Sequence, residues 1–169
     1  MLRLLVMRHA KSSWAAPGAR DFDRELNERG HLDLVKVSNV LHTRNYIPDT
    51  ILCSSAERTR QSLDGLSPVI PESTEVTFTE KLYSSGLDDY IALIQAQGTP
   101  KSLMIIGHNP MCGSLASSMA GHGEAHLLEE IAYKYPTATV AVIDFDCENW
   151  SEIEKGSGTL IDCIIPSTL

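Results

Sequence analysis

Short apolar runs alternating with stretches of helical periodicity constrain this 169-residue chain more than any other feature. Residues 2–7 (LRLLVM) read as a buried strand, and residues 102–106 (SLMII) as the central one. Residues 50–53, 76–78, 139–145 and 159–165 are further β-rich runs, the last expected at a sheet edge. Between them, Leu34, Val37 and Leu41 share one face of a helix over 28–43, with Asn27 as its N-cap. Ser54 or Ser55 is placed to cap a helix over 56–66, and Asp88 to cap one that buries Tyr90, Ile91 and Ile94. A further helix covers 110–119. Strands alternating with helices build βαβ units, so the expected fold is a three-layer α/β/α sandwich with a mostly parallel central sheet. The length suits a single domain over 1–169.

Three strand-to-helix junctions carry polar residues of related chemistry. They are Arg8-His9-Ala10-Lys11, the segment 53–62 with Arg58, and Gly107-His108-Asn109-Pro110. In a parallel sheet such junctions open onto one edge, where ligands of open α/β sheets bind. Two arginines, two histidines and a helix N-terminus can therefore converge on one small volume, a set suited to phosphate. Phosphoryl transfer depends on positioning and on neutralising the equatorial oxygens. With two histidines and no metal-ligand cluster in the sequence, a covalent route follows: one histidine attacks phosphorus and the other donates to an equatorial oxygen. The formal net charge of −8 argues against a nucleic-acid partner held on a broad basic face. It leaves room for a small anion, because arginines in a pocket outweigh distant carboxylates.

On these junctions, and on Lys11-Ser12-Ser13-Trp14, the segment 21–30 (DFDRELNERG) and Tyr135-Pro136-Thr137-Ala138, the chain resembles the histidine phosphatase superfamily. This superfamily is also called phosphoglycerate mutase-like, and the likeness is greatest to its small SixA-type phosphohistidine phosphatases. The resemblance spans nearly the whole chain and implies a phosphoglycerate mutase-like fold and a phosphatase that uses no cofactor. It makes His9 the nucleophile that becomes phosphohistidine, with Arg8, Arg58 and His108 completing the phosphate pocket. Glu80 lies near where larger members place a general-acid carboxylate. The alternative is that no dedicated acid exists, since the imidazole of a phosphohistidine leaving group accepts its own proton. Ala10 stands where the family usually has glycine, Ser55 where it has proline and Thr59 where it has alanine; none of these removes a catalytic group. The long helical insertion of larger members is missing, which implies an open site able to admit a protein-borne phosphate.

Several residues carry competing assignments. Lys11 either holds phosphate or faces water, and Asn109 either donates to the substrate or caps the following helix. Arg60 is expected in solvent, and Arg24 and Arg29 are expected to order the 21–30 loop through Asp21, Asp23 or Glu28. His122 and His126 flank Glu124 in a glycine-rich stretch that reads as a solvated loop and not as a zinc helix. Cys53 lies one residue too close to Arg58 for the Cys-x5-Arg loop of cysteine phosphatases and reads as a core thiol. The four cysteines show no CxxC, as in a reduced, cytoplasmic protein. The apolar start is interrupted by Arg3 and too short for a signal peptide, and no stretch is long enough to cross a bilayer.

The leading functional expectation is a metal-independent phosphatase acting through His9 on phosphohistidine borne by a signalling protein, with no nucleic-acid or membrane partner. The alternatives are a phosphatase for small phosphate esters or phosphosugars, and a non-enzymatic phosphate-binding module.

Overall fold

The structure, a computed structural model, describes residues 1–14 and 16–169. Among the described residues, seven strands form one sheet: β1 (Leu2–Arg8), β2 (Thr50–Ser54), β3 (Glu75–Thr79), β4 (Ser102–Gly107), β5 (Ala120–Gly123), β6 (Val140–Phe145) and β7 (Gly158–Ile164). Their order is β3-β2-β4-β1-β6-β7-β5. Strand β6 is antiparallel to β1 and β7, and the other neighbours pair in parallel. The expected mostly parallel sheet is present.

Alternation along the strands divides the core in two. Leu4 and Val6 of β1 face one side with Ile105 and Ile143, under α4 (Leu87–Gln95), α5 (Met111–Met119) and α6 (Ala125–Tyr133). Leu5 and Met7 face the other with Met104 and Ile106, where α1 (Glu28–Thr43) and α2 (Glu57–Leu66) pack through Leu34, Val37 and Leu63. The result is the three-layer α/β/α sandwich. Central strands buried on both faces explain why residues 2–7 and 102–106 are nearly all apolar. A four-residue helix, α3 (Lys81–Ser84), follows β3.

Several local expectations are corrected. Strand β7 is not at the edge, because β5 adds outside it. The stretch read as a solvated loop instead places His122 in β5 and His126 at the start of α6. Gly121 and Gly158 permit that pairing: a Cβ on Gly121 would lie 2.0 Å from the Gly156 carbonyl oxygen, and one on Gly158 would meet Ile143 at 2.5 Å. Ala56, without a side-chain cap, precedes α2, and Gly86 precedes α4, where Asp89 accepts from its N–H. Ser54 is therefore free for another partner, described below. Asn27 caps α1 as expected, accepting from the Gly30 amide at 2.9 Å.

Candidate active site

The carboxyl ends of β1, β2 and β4 lie side by side, so the three polar junctions meet at one sheet edge. Strand β1 ends at Arg8 opposite Gly107 of β4, and the His9 amide donates to the Gly107 carbonyl at 3.0 Å. That register sets the His9 and His108 rings 5.3 Å apart between centroids, inclined at 55°. Arg58, in the first turn of α2, reaches across from β2, and its Nε donates to His9 Nε2 at 3.4 Å. Arg8 stays beside them, its Nη1 donating to the Tyr135 carbonyl at 3.1 Å. Arg8, His9, Arg58 and His108 thus converge.

Hydrogen bonding fixes the tautomer of His9 and favours one for His108. His9 Nδ1 lies 2.7 Å from the Ala10 carbonyl oxygen, which can only accept, so the proton sits on Nδ1. His9 Nε2 then keeps its lone pair and accepts from Arg58. His108 Nε2 lies 2.8 Å from Ser54 Oγ, which also accepts from the Ala56 amide at 3.3 Å. The Ser54 hydroxyl proton has no other acceptor among the described residues, so Ser54 O–H is assigned as the donor to Nε2, which leaves the His108 proton on Nδ1. His108 Nδ1 and Arg8 Nε are buried, with no hydrogen-bond partner among the described residues.

Burial reinforces neutrality. It pushes His9 down to about 4, aided by the positive charges of Arg58 and Arg8 and opposed by the Ala10 carbonyl. It pushes His108 down to about 3, with His9 and Arg58 adding to the effect. Both imidazoles are uncharged near pH 7. Arg8 is also shifted downward, by burial and then by Arg58.

Around this centre lie residues that sequence reasoning did not place. Asp21, in a 3-10 turn (Asp21–Asp23), faces the guanidinium of Arg58: Nη1 donates to its main-chain oxygen at 2.8 Å and Nη2 to Oδ2 at 3.1 Å. The Tyr83 hydroxyl donates to the same Oδ2 at 2.8 Å, and its ring stands edge-on to His108 at 5.4 Å. The Asp21 carboxyl drops to about 2; its partial burial, which acts upward, is outweighed by Tyr83, Arg24 and Arg58. Ser62 Oγ accepts from the Ala10 amide at 2.9 Å, fixing the backbone after His9. Thr59 ties β2 to α2, donating to the Ser54 and Ala56 carbonyls at 2.8 Å each.

The weaker candidates lie at the periphery. Lys11 is exposed and lines a cavity of about 270 Å³ with Arg8, His9, Trp14, Arg24 and Thr137. Asn109 acts as a clamp: its Nδ2 donates to the Tyr135 carbonyl at 2.8 Å, and its Oδ1 accepts from the Gly113 amide at 3.2 Å. Glu80 is exposed in a neighbouring recess with Arg20, Phe22, Tyr83 and Ser84, which neither histidine lines. Arg60, expected in solvent, instead stacks 4.0 Å over Phe78 and donates to the Ser55 carbonyl. Arg24 does order the 21–30 loop through Asp21, whereas Arg29 pairs with Asp33. Cys53 is a buried thiol that desolvation pushes up to about 12.

No protein-family model matches the chain. An uncharacterized Mycobacterium tuberculosis protein is 31% identical over 163 residues, covering 95% of this chain and 99% of the relative. The structure from Agrobacterium tumefaciens assigned as phosphohistidine phosphatase SixA is 33% identical, with a TM-score of 0.83 and 98% of each chain covered. The chain belongs to the histidine phosphatase superfamily, in its SixA-type branch. The protein histidine phosphatase SixA solved with tungstate, 20% identical, shares the fold at a TM-score of 0.79 over 99% of each chain.

In this SixA-type chain, Arg24 ties the segment after β1 to the Asp21–Asp23 turn beside the site, donating to the Ser13 carbonyl at 2.9 Å and to Ser12 Oγ at 2.8 Å. Trp14 is 90% exposed at the mouth, with the Arg24 guanidinium 5.4 Å from its ring centroid. No helix is long and apolar enough to cross a membrane among the described residues.

Proposed function

We propose that this protein is a phosphatase that transfers the phosphoryl group of its substrate to His9 Nε2 and then to water. The observation that carries this reading is the His9 ring itself. It is buried and neutral, with Nδ1 committed to the Ala10 carbonyl and the Nε2 lone pair directed at Arg58. An arriving phosphate oxygen takes over the Arg58 N–H and releases that lone pair. Arg8 and Arg58 bind and neutralise the equatorial oxygens, and the His108 Nδ1–H donates a further hydrogen bond. Two guanidinium groups supply the positive charge that phosphoryl transfer requires.

In the first step the Nε2–P bond forms as the bond from phosphorus to the leaving group breaks. The ring keeps its Nδ1 proton and becomes a phosphorylated imidazolium held against the Ala10 carbonyl. In the second step water attacks phosphorus, its proton passes to the phosphate, and the Nε2–P bond returns its electron pair to His9. A buried site that disfavours imidazolium makes this intermediate reactive, which favours turnover over storage of the phosphoryl group.

We infer phosphohistidine on a protein as the substrate. Asp21 is held ionised by Tyr83, Arg24 and Arg58 and has no proton to give near neutral pH, and Glu80 sits in the adjoining recess. A phosphoramidate tolerates this, because its leaving imidazole takes its proton from solvent on the other ring nitrogen. The exposed Trp14 and Lys11 at the mouth suit a phosphate carried on a polypeptide. A second reading, hydrolysis of small phosphate esters, is favoured by Glu80 sharing a recess with Tyr83, whose ring stands edge-on to His108. Rates on a phosphohistidine protein, a sugar phosphate and an aryl phosphate, measured for wild type, His9→Ala and Glu80→Gln, separate the two. The phosphohistidine reading predicts that His9→Ala is inactive and that Glu80→Gln retains its rate on the phosphohistidine protein. Preferred hydrolysis of the sugar phosphate, lost in Glu80→Gln, would contradict it.

A further inference from the structure

We propose that Asp21 is a positioning residue that aims Arg58 at the reacting nitrogen, an inference that rests on the phosphatase reading above. A guanidinium group presents two forks of donors: one formed by Nη1 and Nη2 at its end, the other by Nε and a neighbouring Nη along its side. In Arg58 the end fork is fully occupied by Asp21, through the main-chain oxygen at 2.8 Å and Oδ2 at 3.1 Å. Occupation of that fork turns the side fork toward His9, where Nε lies 3.4 Å from Nε2. The side fork is the one that an oxyanion bonded to Nε2 meets.

The asymmetry of exposure supports this role. The Arg58 side chain is 8% exposed, while the Asp21 side chain is 52% exposed. A buried cation is thus clamped by a residue that lies largely at the surface. Asp21 is in turn held from three directions, by Arg58 and Tyr83 on Oδ2 and by Arg24 on Oδ1. A carboxylate that only closed the loop would need Arg24 alone. Its two further partners, Arg58 and Tyr83, both lie against the histidines.

Action through Arg58 makes a distinctive prediction. Removing the Asp21 charge should lower kcat/KM about ten- to a hundredfold, the range for losing one charge-assisted hydrogen bond. Orthovanadate inhibition should weaken in parallel, because that oxyanion reads the same fork. In an Arg58→Ala background the same substitution should change either quantity by less than about twofold, since nothing remains to be aimed. The test is a double-mutant cycle on the full chain with Asp21→Asn, Arg58→Ala and the pair. It uses single-turnover hydrolysis of an aryl phosphate and of a phosphohistidine protein, with orthovanadate titrations and melting temperatures.

A strongly non-additive cycle on both substrates is the expected result. Equal losses from Asp21→Asn in both backgrounds would overturn the proposal and leave Asp21 a loop-ordering residue. So would an unchanged rate in the single variant. A loss seen only with the poorer leaving group would identify Asp21 as a proton donor instead and would also overturn it. If Asp21→Asn proves unstable, Asp21→Glu, which keeps the charge, must recover a measurable part of the rate. None of these outcomes touches the phosphatase reading, which His9→Ala decides separately.

Discussion

At the scale of single residues, the site is governed by which nitrogen carries a proton. His9 and His108, displaced to about 4 and about 3 by burial first, should both stay uncharged well below the ordinary histidine value of 6.5. Nitrogen-detected NMR of the ligand-free protein should find both rings as Nδ1–H tautomers at pH 6. Ser54→Ala should let the His108 tautomer shift toward Nε2–H without changing His9; an unchanged His108 ring would contradict the role given to Ser54. The same displacements couple to folding. Between about 6.5 and about 4 the unfolded chain binds protons that the native histidines refuse, so stability should fall as pH drops through that window. Denaturant titrations at pH 7 and pH 5 measure it. A protein more stable at pH 5 would show that these rings are not the neutral groups described here.

At the scale of elements, the site depends on how the first turn of α1 meets the loop after β1. The Lys11 carbonyl accepts from the Asn27 amide at 3.0 Å, and a Cβ on Gly30 would approach that carbonyl oxygen to 2.2 Å. Asn27→Ala should remove a helix cap, costing about 1 kcal/mol of stability, and leave activity near wild type. Gly30→Ala should displace the Lys11 backbone and lower activity as well; equal activity in the two variants would contradict this coupling. Much of this frame was legible in the chain. The runs 2–7 and 102–106 are apolar because central strands bury both faces, and their ends marked Arg8, His9 and His108. Strand β5 was not legible, since Ala-Gly-His-Gly has no strand pattern and forms only because β7 offers it an edge. The antiparallel direction of β6 was equally hidden, because an apolar run looks the same in either direction. Asp21 was visible within a charged loop, yet its contact with Arg58 joins positions far apart in sequence that only the folded sheet edge brings together. Tyr83 lies in a four-residue helix that carries no chemical signature at all.

For the molecule as a whole, the acidic chain gathers Arg8, Arg24 and Lys11 around one small cavity, with Arg58 bonded to His9 in its wall. An oxyanion bound there should stabilise the native state by mass action. Tungstate should therefore raise the melting temperature of the wild type and do so much less in Arg58→Ala; an equal rise in both would place the anion elsewhere. The central claim is that His9 carries the phosphoryl group between substrate and water. It is tested most directly by mixing the protein with a phosphorylated substrate, quenching at alkaline pH within the first turnover, and locating the label by mass spectrometry. One acid-labile phosphoryl group on His9, absent from His9→Ala, is the predicted result. Phosphate release at the full wild-type rate from His9→Ala, or a phosphoryl group found on another residue, would contradict it.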